Sequence, residues 1–485
     1  MADSSLFGNP PPSSAETEAV YKRVSRRLIA FLFVCYAAAY LDRVNVGFAK
    51  LQMLEDLQFS EAVYGLGAGM FFVGYILFEV PSNIILQKVG PKIWIARIML
   101  TWALISGSMA FVTSPEMFYA LRFLLGVAEA GFIPGILFYL TQWFPVHRRG
   151  RVFALFLSAI PVASIFGGPL SGWLLQSFNG AAGLHGWQWV FLIEAIPSLI
   201  LGFAVLKWLD NSYTDAKWLT LRQKQVIEHT LASEALTEDT ATHNRVFDVL
   251  KSPKVWLLSA IYFCIALGIY VIGFWIPTII SDSGVAGGIA IGLLTAIPYL
   301  AAVVAMIANS THADKHGERR WHTSLPCWVT AAGLVLTGLG AHNTTVAMIG
   351  LVIAAAGAST AQAAFWSLPA AFLTGIGAAT GIALINSVGN ISGVVSTSAV
   401  GWLSSITGTT TISLYAVALL LVTGGALILM IPARLLDDQR HLDRGDPSET
   451  TVSHPVVTHP RSGQSVPPQP HQTKSPLPTE KDTIA

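Results

Sequence analysis

Apolar residues in this chain come in long unbroken runs, not in the alternating or one-sided patterns of soluble strands and helices. A helix needs ~20 apolar residues to cross the hydrocarbon core of a bilayer. Runs of that length fall at roughly 27–47, 60–82, 94–113, 116–140, 150–176, 188–208, 254–280, 287–309, 323–341, 344–366, 376–405 and 411–433. They predict twelve transmembrane helices, the third and fourth separated only by Thr113-Ser114-Pro115. The polar stretches between the runs set the layout. Residues 1–26 form an N-terminal segment, 27–208 a six-helix bundle, 209–252 a polar linker, 253–435 a second six-helix bundle and 436–485 a tail. The tail is rich in Pro, Thr, Ser and His and has too little apolar surface to fold. The expected fold class is an all-α membrane protein of two six-helix bundles.

The bundles read as a parallel repeat. Each has a tight basic connection between its second and third spans, QKVGPK at 87–92 and HADKHGERR at 312–320. Carriers built on such repeats bind their solute between the halves near the midplane. Small residues cluster in span 2 (Gly65, Gly67, Gly69, Gly74), span 5 (Gly167, Gly168, Gly172) and span 11 (Gly381, Gly389, Gly393, Gly401). They suit helices that approach closely across a sliding interface, or ordinary tight packing.

Composition agrees with a membrane setting. Charged residues make up 12% of the chain, against about 25% in soluble domains. The net charge of +1 and the lack of a basic run give no sign of a nucleic-acid partner. Charge placement is more informative. Arg43 and Arg122 lie within spans, and Lys50 follows span 1; the other Lys and Arg fall at the termini or at and beside the even-numbered connections. Basic flanks mark the cytoplasmic side. Both termini are therefore expected in the cytoplasm, which requires an even number of spans. Cys35, Cys264 and Cys327 have no metal-ligand or CxxC spacing and read as small buried hydrophobes. The polar N-terminus has no apolar core of its own and is not a cleavable signal peptide.

Ionisable side chains inside a membrane are costly and mark pathways for polar solutes. Span 1 carries Asp42 and Arg43 in YAAAYLDRVNVGFA, and span 4 carries Arg122 and Glu129 in RFLLGVAEAGF. Arg122 and Glu129 share one helix face about 10 Å apart. Counted from the span ends, the two arginines fall at one depth, about 9 Å below the outer surface. They could grip a carboxylate in a bidentate way. Glu129 lies deeper, where a carboxylate can shed the penalty of its charge by taking a proton. The same four residues could instead be structural ion pairs, Asp42–Arg122 or Arg43–Glu129. Glu79 and Glu194 read as helix caps or braces. Asp314, with Arg319 and Arg320, reads as a latch between helices on the cytoplasmic side.

These residues carry a family resemblance. YLDRVNVGFA (40–49), FEVPSNIILQKVGPKIWIARIM (78–99), RFLLGVAEAGFIPGILFYLTQWFP (122–145), GGPLSGWLL (167–175), GWQWVFLIEAIP (186–197), ADKHGERRWH (313–322), FWSLPAAFLTG (365–375) and GIALINSVGNISG (381–393) occur in order across both halves. The chain resembles the major facilitator superfamily and, within it, the anion:cation symporters that carry phthalate, tartrate, 4-hydroxyphenylacetate and sugar acids. The resemblance implies twelve helices, alternating access and proton-coupled uptake of an organic anion. It marks Asp42 and Glu129 as proton-linked acids and Arg43 and Arg122 as substrate and coupling bases. It also places Tyr40, Tyr75, Asn390, Trp366 and Ser367 at substrate-contacting positions. Read from the residues alone, Asn390 could equally make a helix–helix hydrogen bond, and Tyr40 and Tyr75 could be surface anchors.

The chain departs from its relatives in two places. QKVGPK lacks the acid usual in that connection, although Asp314 keeps it in the second half. In span 5 the segment SAIPVASIF offers Ser158 and Ser164 but no amide, and span 7 is aromatic (YFCIALGIYVIGFW). Both tilt the substrate toward a less hydroxylated or aromatic carboxylate. The expectation is a monomeric plasma-membrane (inner-membrane) symporter for an organic anion and protons. No cofactor is implied, and neither a nucleotide-binding motif nor an enzyme constellation is found. The alternatives are an anion exchanger without net proton movement and a sensor that keeps the fold without transporting.

Overall fold

Residues 12–238, 251–316, 318–372 and 375–432 are described by a computed structural model. The predicted tail at 436–485 lies outside them. The first half holds α1 (Ser14–Val44), α2 (Val46–Leu57), α3 (Glu61–Val89), α4 (Pro91–Ser108), α5 (Pro115–Glu129), α6 (Phe132–Thr141), α7 (Val146–Leu157), α8 (Ala159–Ser177) and α9 (Gly186–Trp208). A linker helix, α10 (Leu221–Glu238), follows. The second half holds α11 (Pro253–Asp282), α12 (Gly288–His316), α13 (Arg320–Leu339), α14 (Thr344–Phe365), α15 (Ser367–Phe372), α16 (Gly375–Thr407) and α17 (Thr411–Leu429). No strand occurs among the described residues.

Local chemistry sets the helix ends. Ser13, Ser60, Ser114 and Asn343 each accept a backbone N–H in the first turn of the helix that follows, which satisfies one of the free amides there. Pro115 opens α5, at a position where a missing N–H does no harm. Gly90 alone separates α3 from α4, so the 87–92 connection is as tight as its sequence suggests.

Eleven of the described helical segments are long and apolar enough to cross a membrane. The twelfth expected span is α13, a 20-residue helix. It is more polar, beginning at Arg320-Trp321-His322, and it packs against α14 and α17. Four of the described spans are divided into two helical segments: α1 and α2 meet at Asn45, α5 and α6 at Ala130-Gly131, α7 and α8 at Ser158, and α14 and α15 at Trp366.

Span 1 is much longer than its apolar run. Its helix begins at Ser14 and, past the bend at Asn45, continues to Leu57. The polar first turns are held by the linker and by span 5. Arg222 pairs with Glu16 at 2.8 Å, Arg148 pairs with Glu18 at 2.7 Å, and Arg23 donates to the Trp218 carbonyl at 2.9 Å. Arg222 also holds the Glu16 carboxyl below its ordinary range by hydrogen bonding to it.

The halves meet along α3 against α16 and α8 against α12. The approach at Gly65 and Gly401 leaves no room for side chains. A Cβ on Gly65 would lie 2.8 Å from the Gly401 Cα. At this same end of the bundle, away from the N-terminus, Lys50 of α2 is only 3% exposed. Its ammonium pairs with Glu61 at 2.6 Å and donates to Thr278 Oγ1 of α11 at 3.0 Å. It also sits 4.0 Å from the Trp275 ring centroid, a cation–π contact strengthened by exclusion of water. Tyr64 donates to the Phe274 carbonyl at 2.9 Å. One buried cation thus ties the two halves together at this end.

This tie predicts an effect of Lys50→Met on access to the interface. With the three native cysteines replaced and a reporter placed by Ile276→Cys, a hydrophilic maleimide should label the variant several-fold faster than the Lys50 parent. Equal labelling rates would show that the lysine does not hold this end shut.

Candidate functional site

Two of the helix breaks gather the intramembrane charges. Glu129 is the last residue of α5; Ala130 then leaves helical geometry and Gly131 takes φ +84°. A Cβ costs energy in that left-handed conformation, so glycine suits it. Asp42 and Arg43 stand just before the bend at Asn45, in the last turn of α1. Interrupted helices near the midplane are a recurring way to build a solute site.

Arg43 and Glu129 form a direct ion pair between α1 and α5, with both side chains nearly fully buried. The Arg43 guanidinium lies 5.3 Å from the Phe71 ring centroid and 5.7 Å from that of Tyr75. Arg122 lies 5.2 Å from the same Phe71 ring and 5.9 Å from Phe274 of the second half. Sharing one ring bounds the separation of the two guanidiniums at the sum of 5.3 and 5.2 Å. Arg122 is 0% exposed, yet its Nε, Nη1 and Nη2 have no hydrogen-bond partner among the described residues.

Span 1 runs on to Leu57 instead of ending near residue 47, so the count from its end that placed both arginines at one depth does not hold. Arg43 reaches Glu129 directly, and Arg122 lies about 10 Å before Glu129 along α5. Long side chains close much of that gap over Phe71.

Asp42 points elsewhere. It accepts from Trp102 Nε1 at 3.1 Å and Ser106 Oγ at 3.0 Å on α4, and from Ser198 Oγ on α9. Its carboxylate is thus enclosed within the first bundle and bonded to α4 and α9, not to Arg43 or Arg122. Glu194 lies in the same bundle interior and accepts from Ser171 Oγ at 2.6 Å, bracing α8 against α9. Glu79 does not brace its own half. It accepts from Asn386 Nδ2 of α16 at 3.1 Å, across the interface.

The remaining expected site residues divide. Tyr75 borders Arg43, and the Tyr40 hydroxyl lies beside Gly273 of α11. Both tyrosines are buried, which rules out their reading as surface anchors. Asn390 accepts from the Tyr270 hydroxyl at 2.9 Å, the helix–helix bond weighed above. Trp366 stacks edge-on to Tyr262 at 4.9 Å. Ser367 donates to the Ala364 carbonyl at 2.7 Å, one turn back. Of the expected latch, Arg319 and Arg320 are described. Arg320 donates to the Leu429 carbonyl at the end of α17, where the last helical carbonyls lack partners. Arg319 is the N-cap position of α13, and the Asp314 side chain lies outside the described residues. Trp102, Ser106, Ser198, Phe71 and Asn386 were not anticipated. They are ordinary helix residues in sequence, and only their neighbours single them out.

A Major Facilitator Superfamily profile matches residues 32–397. A Pseudomonas putida protein bearing the name metabolite transport protein NicT is 51% identical over 87% of this chain and 96% of its own length. An Agrobacterium vitis protein named as a tartrate transporter is 48% identical over 76% of this chain and 81% of its own. Among solved structures, the xylose transporter XylE from E. coli, in a partially occluded inward-open conformation, superposes with a TM-score of 0.67. It is 13% identical, and the match covers 84% of this chain and 98% of that one. This last likeness concerns the fold.

The bonding difference between the buried charges predicts opposite effects on stability. Asp42→Ala strands three buried donors, each costing ~1–3 kcal/mol when unsatisfied, and should lower the melting temperature of the purified protein by several degrees. Arg122→Met removes a buried charge that has no bonded partner and should leave the ligand-free protein as stable or more so. Thermal unfolding in detergent checks both; a large loss for Arg122→Met would mean that Arg122 is a structural residue.

Proposed function

The chain belongs to the major facilitator superfamily, and from that membership and the geometry of its buried charges we propose that it imports an organic anion with protons by alternating access. It is a multi-pass membrane protein. In this reading it works as a monomer in the inner membrane with both termini in the cytoplasm, so the end tied by Lys50 is the outer one.

The observation that carries the proposal is Arg122. A fully buried guanidinium with all three nitrogens unbonded is expensive unless something supplies acceptors. A carboxylate matches its forked geometry and charge. Phe71, Phe274 and Tyr75 give that anion a water-poor, aromatic surround. The names of the relatives, a metabolite carrier and a tartrate carrier, support a small polar acid as cargo.

Coupling follows from the charge count. Two arginines face one carboxylate, Glu129, which is already engaged by Arg43. A proton on Glu129 cancels its charge and releases Arg43. Arg43 can then join Arg122 on the substrate. The bound proton offsets the charge of a monovalent anion, so loading adds no net charge to the buried site as the halves move. Asp42 enters the same proposal as the second proton-linked acid. Its charge would be felt at the site through α1, which also carries Arg43. Tyr40 and Tyr75 would line the path on the first half, and Asn390, Trp366 and Ser367 on the second.

The reading predicts separate phenotypes for the two key residues. In liposomes with an imposed pH gradient, Glu129→Gln should abolish gradient-driven accumulation while leaving substrate counterflow. Arg122→Lys, which keeps the charge but loses the fork, should lower apparent affinity about ten- to a hundred-fold, as expected for one or two charge-assisted hydrogen bonds. Accumulation unchanged in Glu129→Gln would favour plain anion exchange, and uptake indifferent to Arg122→Lys would refute the anion site.

A further inference from the structure

Glu194 is a buried acid that the coupling scheme leaves unused. It lies on α9 and is 0% exposed, and Ser171 Oγ of α8 donates to its Oε1 at 2.6 Å. Its Oε2 is shielded and has no donor at hydrogen-bond geometry among the described residues, although the Asn45 amide lies beside the carboxyl. None of the ion pairs formed by the described residues involves Glu194. On the helices packed around it, Arg43 is paired with Glu129, Lys50 with Glu61 and Asp56 with His185. Glu55 of α2 is exposed, and the other charges of α1, α4 and α9 lie toward the end of the bundle that holds the N-terminus. Asp42 of α1 is within electrostatic reach of Glu194. It accepts from neutral groups, Trp102, Ser106 and Ser198, and Ser198 stands one turn beyond Glu194 on the same face of α9. Ser171 has a second environment. With Ser164 of α8 and Thr295 and Tyr299 of α12 it lines a small cavity between the halves. Gly168 and Gly172 flank it, where α8 meets α12 so closely that a Cβ on Gly172 would overlap the Gly288 carbonyl. This seam lies near the end of α8 and the start of α12, at the end of the bundle that Lys50 ties.

We propose that Glu194 is a proton-binding site of the carrier, loaded from the cavity between the halves through the Ser171 hydroxyl, that shares its proton with Asp42 and is gated by the α8–α12 seam. The inference rests on the symport reading and gives its protons a point of entry. A buried carboxylate with one neutral hydrogen bond and no cation is expensive, and a second one within reach adds repulsion. One proton held between Glu194 and Asp42 relieves both. On Oε2 it also turns an acceptor without a donor into a hydroxyl beside the Asn45 amide, which can accept as well as donate. In the loading step a proton from the cavity joins the Ser171 oxygen as the hydroxyl's own proton passes to Glu194. The acid pair gains one positive charge, and no other bond is made or broken. Chains of acids and hydroxyls serve as proton relays in other membrane carriers. The second half supplies one wall of the cavity, so Ser171 meets outside water only while α12 stands away from α8. Closure at the glycines then holds the proton in. Asp42 adjoins Arg43 in the chain, so the charge of the acid pair acts on the anion site from behind.

Infrared difference spectra of the purified full chain, titrated from neutral to acid, read protonated carboxyls directly and need no cargo. The parent should show a buried protonated-carboxyl band that Glu194→Gln lacks and Glu194→Asp restores at a shifted position. When H2O is replaced by D2O, the rate at which this band shifts reports proton access to Glu194. Ser171→Ala should move the band and slow that exchange several-fold; it also carries the test if the glutamine variant does not fold. Lys50→Met, which loosens the outer end, should speed the exchange several-fold. A parent with no Glu194-dependent band at any pH would overturn the proton site, and an exchange rate untouched by Ser171→Ala would overturn the relay. An exchange rate unchanged in Lys50→Met, in a variant that does label faster at Ile276→Cys, would overturn the gate. The band and rates as stated, with driven accumulation indifferent to Glu129→Gln, would place the failure in the symport reading instead.

Discussion

Everything in this protein's centre depends on an imbalance of buried charge. Two guanidiniums, Arg43 and Arg122, share the ring of Phe71, and only one carboxylate, Glu129, is bonded to either of them. In a low-dielectric interior a pair such as Arg43–Glu129 roughly balances its desolvation, whereas an unpaired Arg122 does not. The surrounding structure has to tolerate that deficit, and an anion can relieve it. The break after Glu129 serves the same end, because it sets a charged side chain where regular helix geometry stops.

The rest of the first bundle reads as support for this arrangement. Asp42 is enclosed by Trp102, Ser106 and Ser198, which ties α1 to α4 and α9 just behind the site. Glu194 and Ser171 tie α8 to α9. A scaffold bonded this thoroughly can keep Arg43 and Arg122 in place without direct hydrogen bonds to Arg122. Across the interface the contacts are of another kind. Among the described residues, glycines at Gly65 and Gly401, the buried Lys50 and a few hydrogen bonds, Tyr64–Phe274, Ile289–Gln176 and Asn386–Glu79, join the halves. Few strong bonds would have to break for the halves to part, which is what alternating access demands of such a seam.

The sequence disclosed the charges more readily than their partners. Asp42, Arg43, Arg122 and Glu129 stood out because ionisable residues are rare in long apolar runs, and the structure buries all four. Their partners did not stand out. Ser106 and Ser198 are common helix residues, and nothing local says that both face one carboxylate. Span 1 was cut short at about residue 47 because Lys50, Glu55 and Asp56 interrupt its apolar run. Burial of Lys50 under Trp275 and against Thr278 lets the helix continue. A depth counted from the end of span 1 falls with that length. Arg320 binds a helix-end carbonyl, that of Leu429, a partner that no local sequence feature marks.

By itself the sequence determined the all-helical membrane fold, the division into two six-helix halves and the identity of the charged residues at the centre. Those features follow from apolar run length and from the penalty for charge in hydrocarbon, both of which act residue by residue. Tertiary structure alone decided which charge meets which. It turned Asp42 into the bundle and Arg43 onto Glu129, left Arg122 without a bonded partner, and joined Glu79 to Asn386 across the halves. Adjacent residues on a helix face different neighbours, and a hydrogen bond or ion pair depends on distances of a few ångströms between segments far apart in the chain.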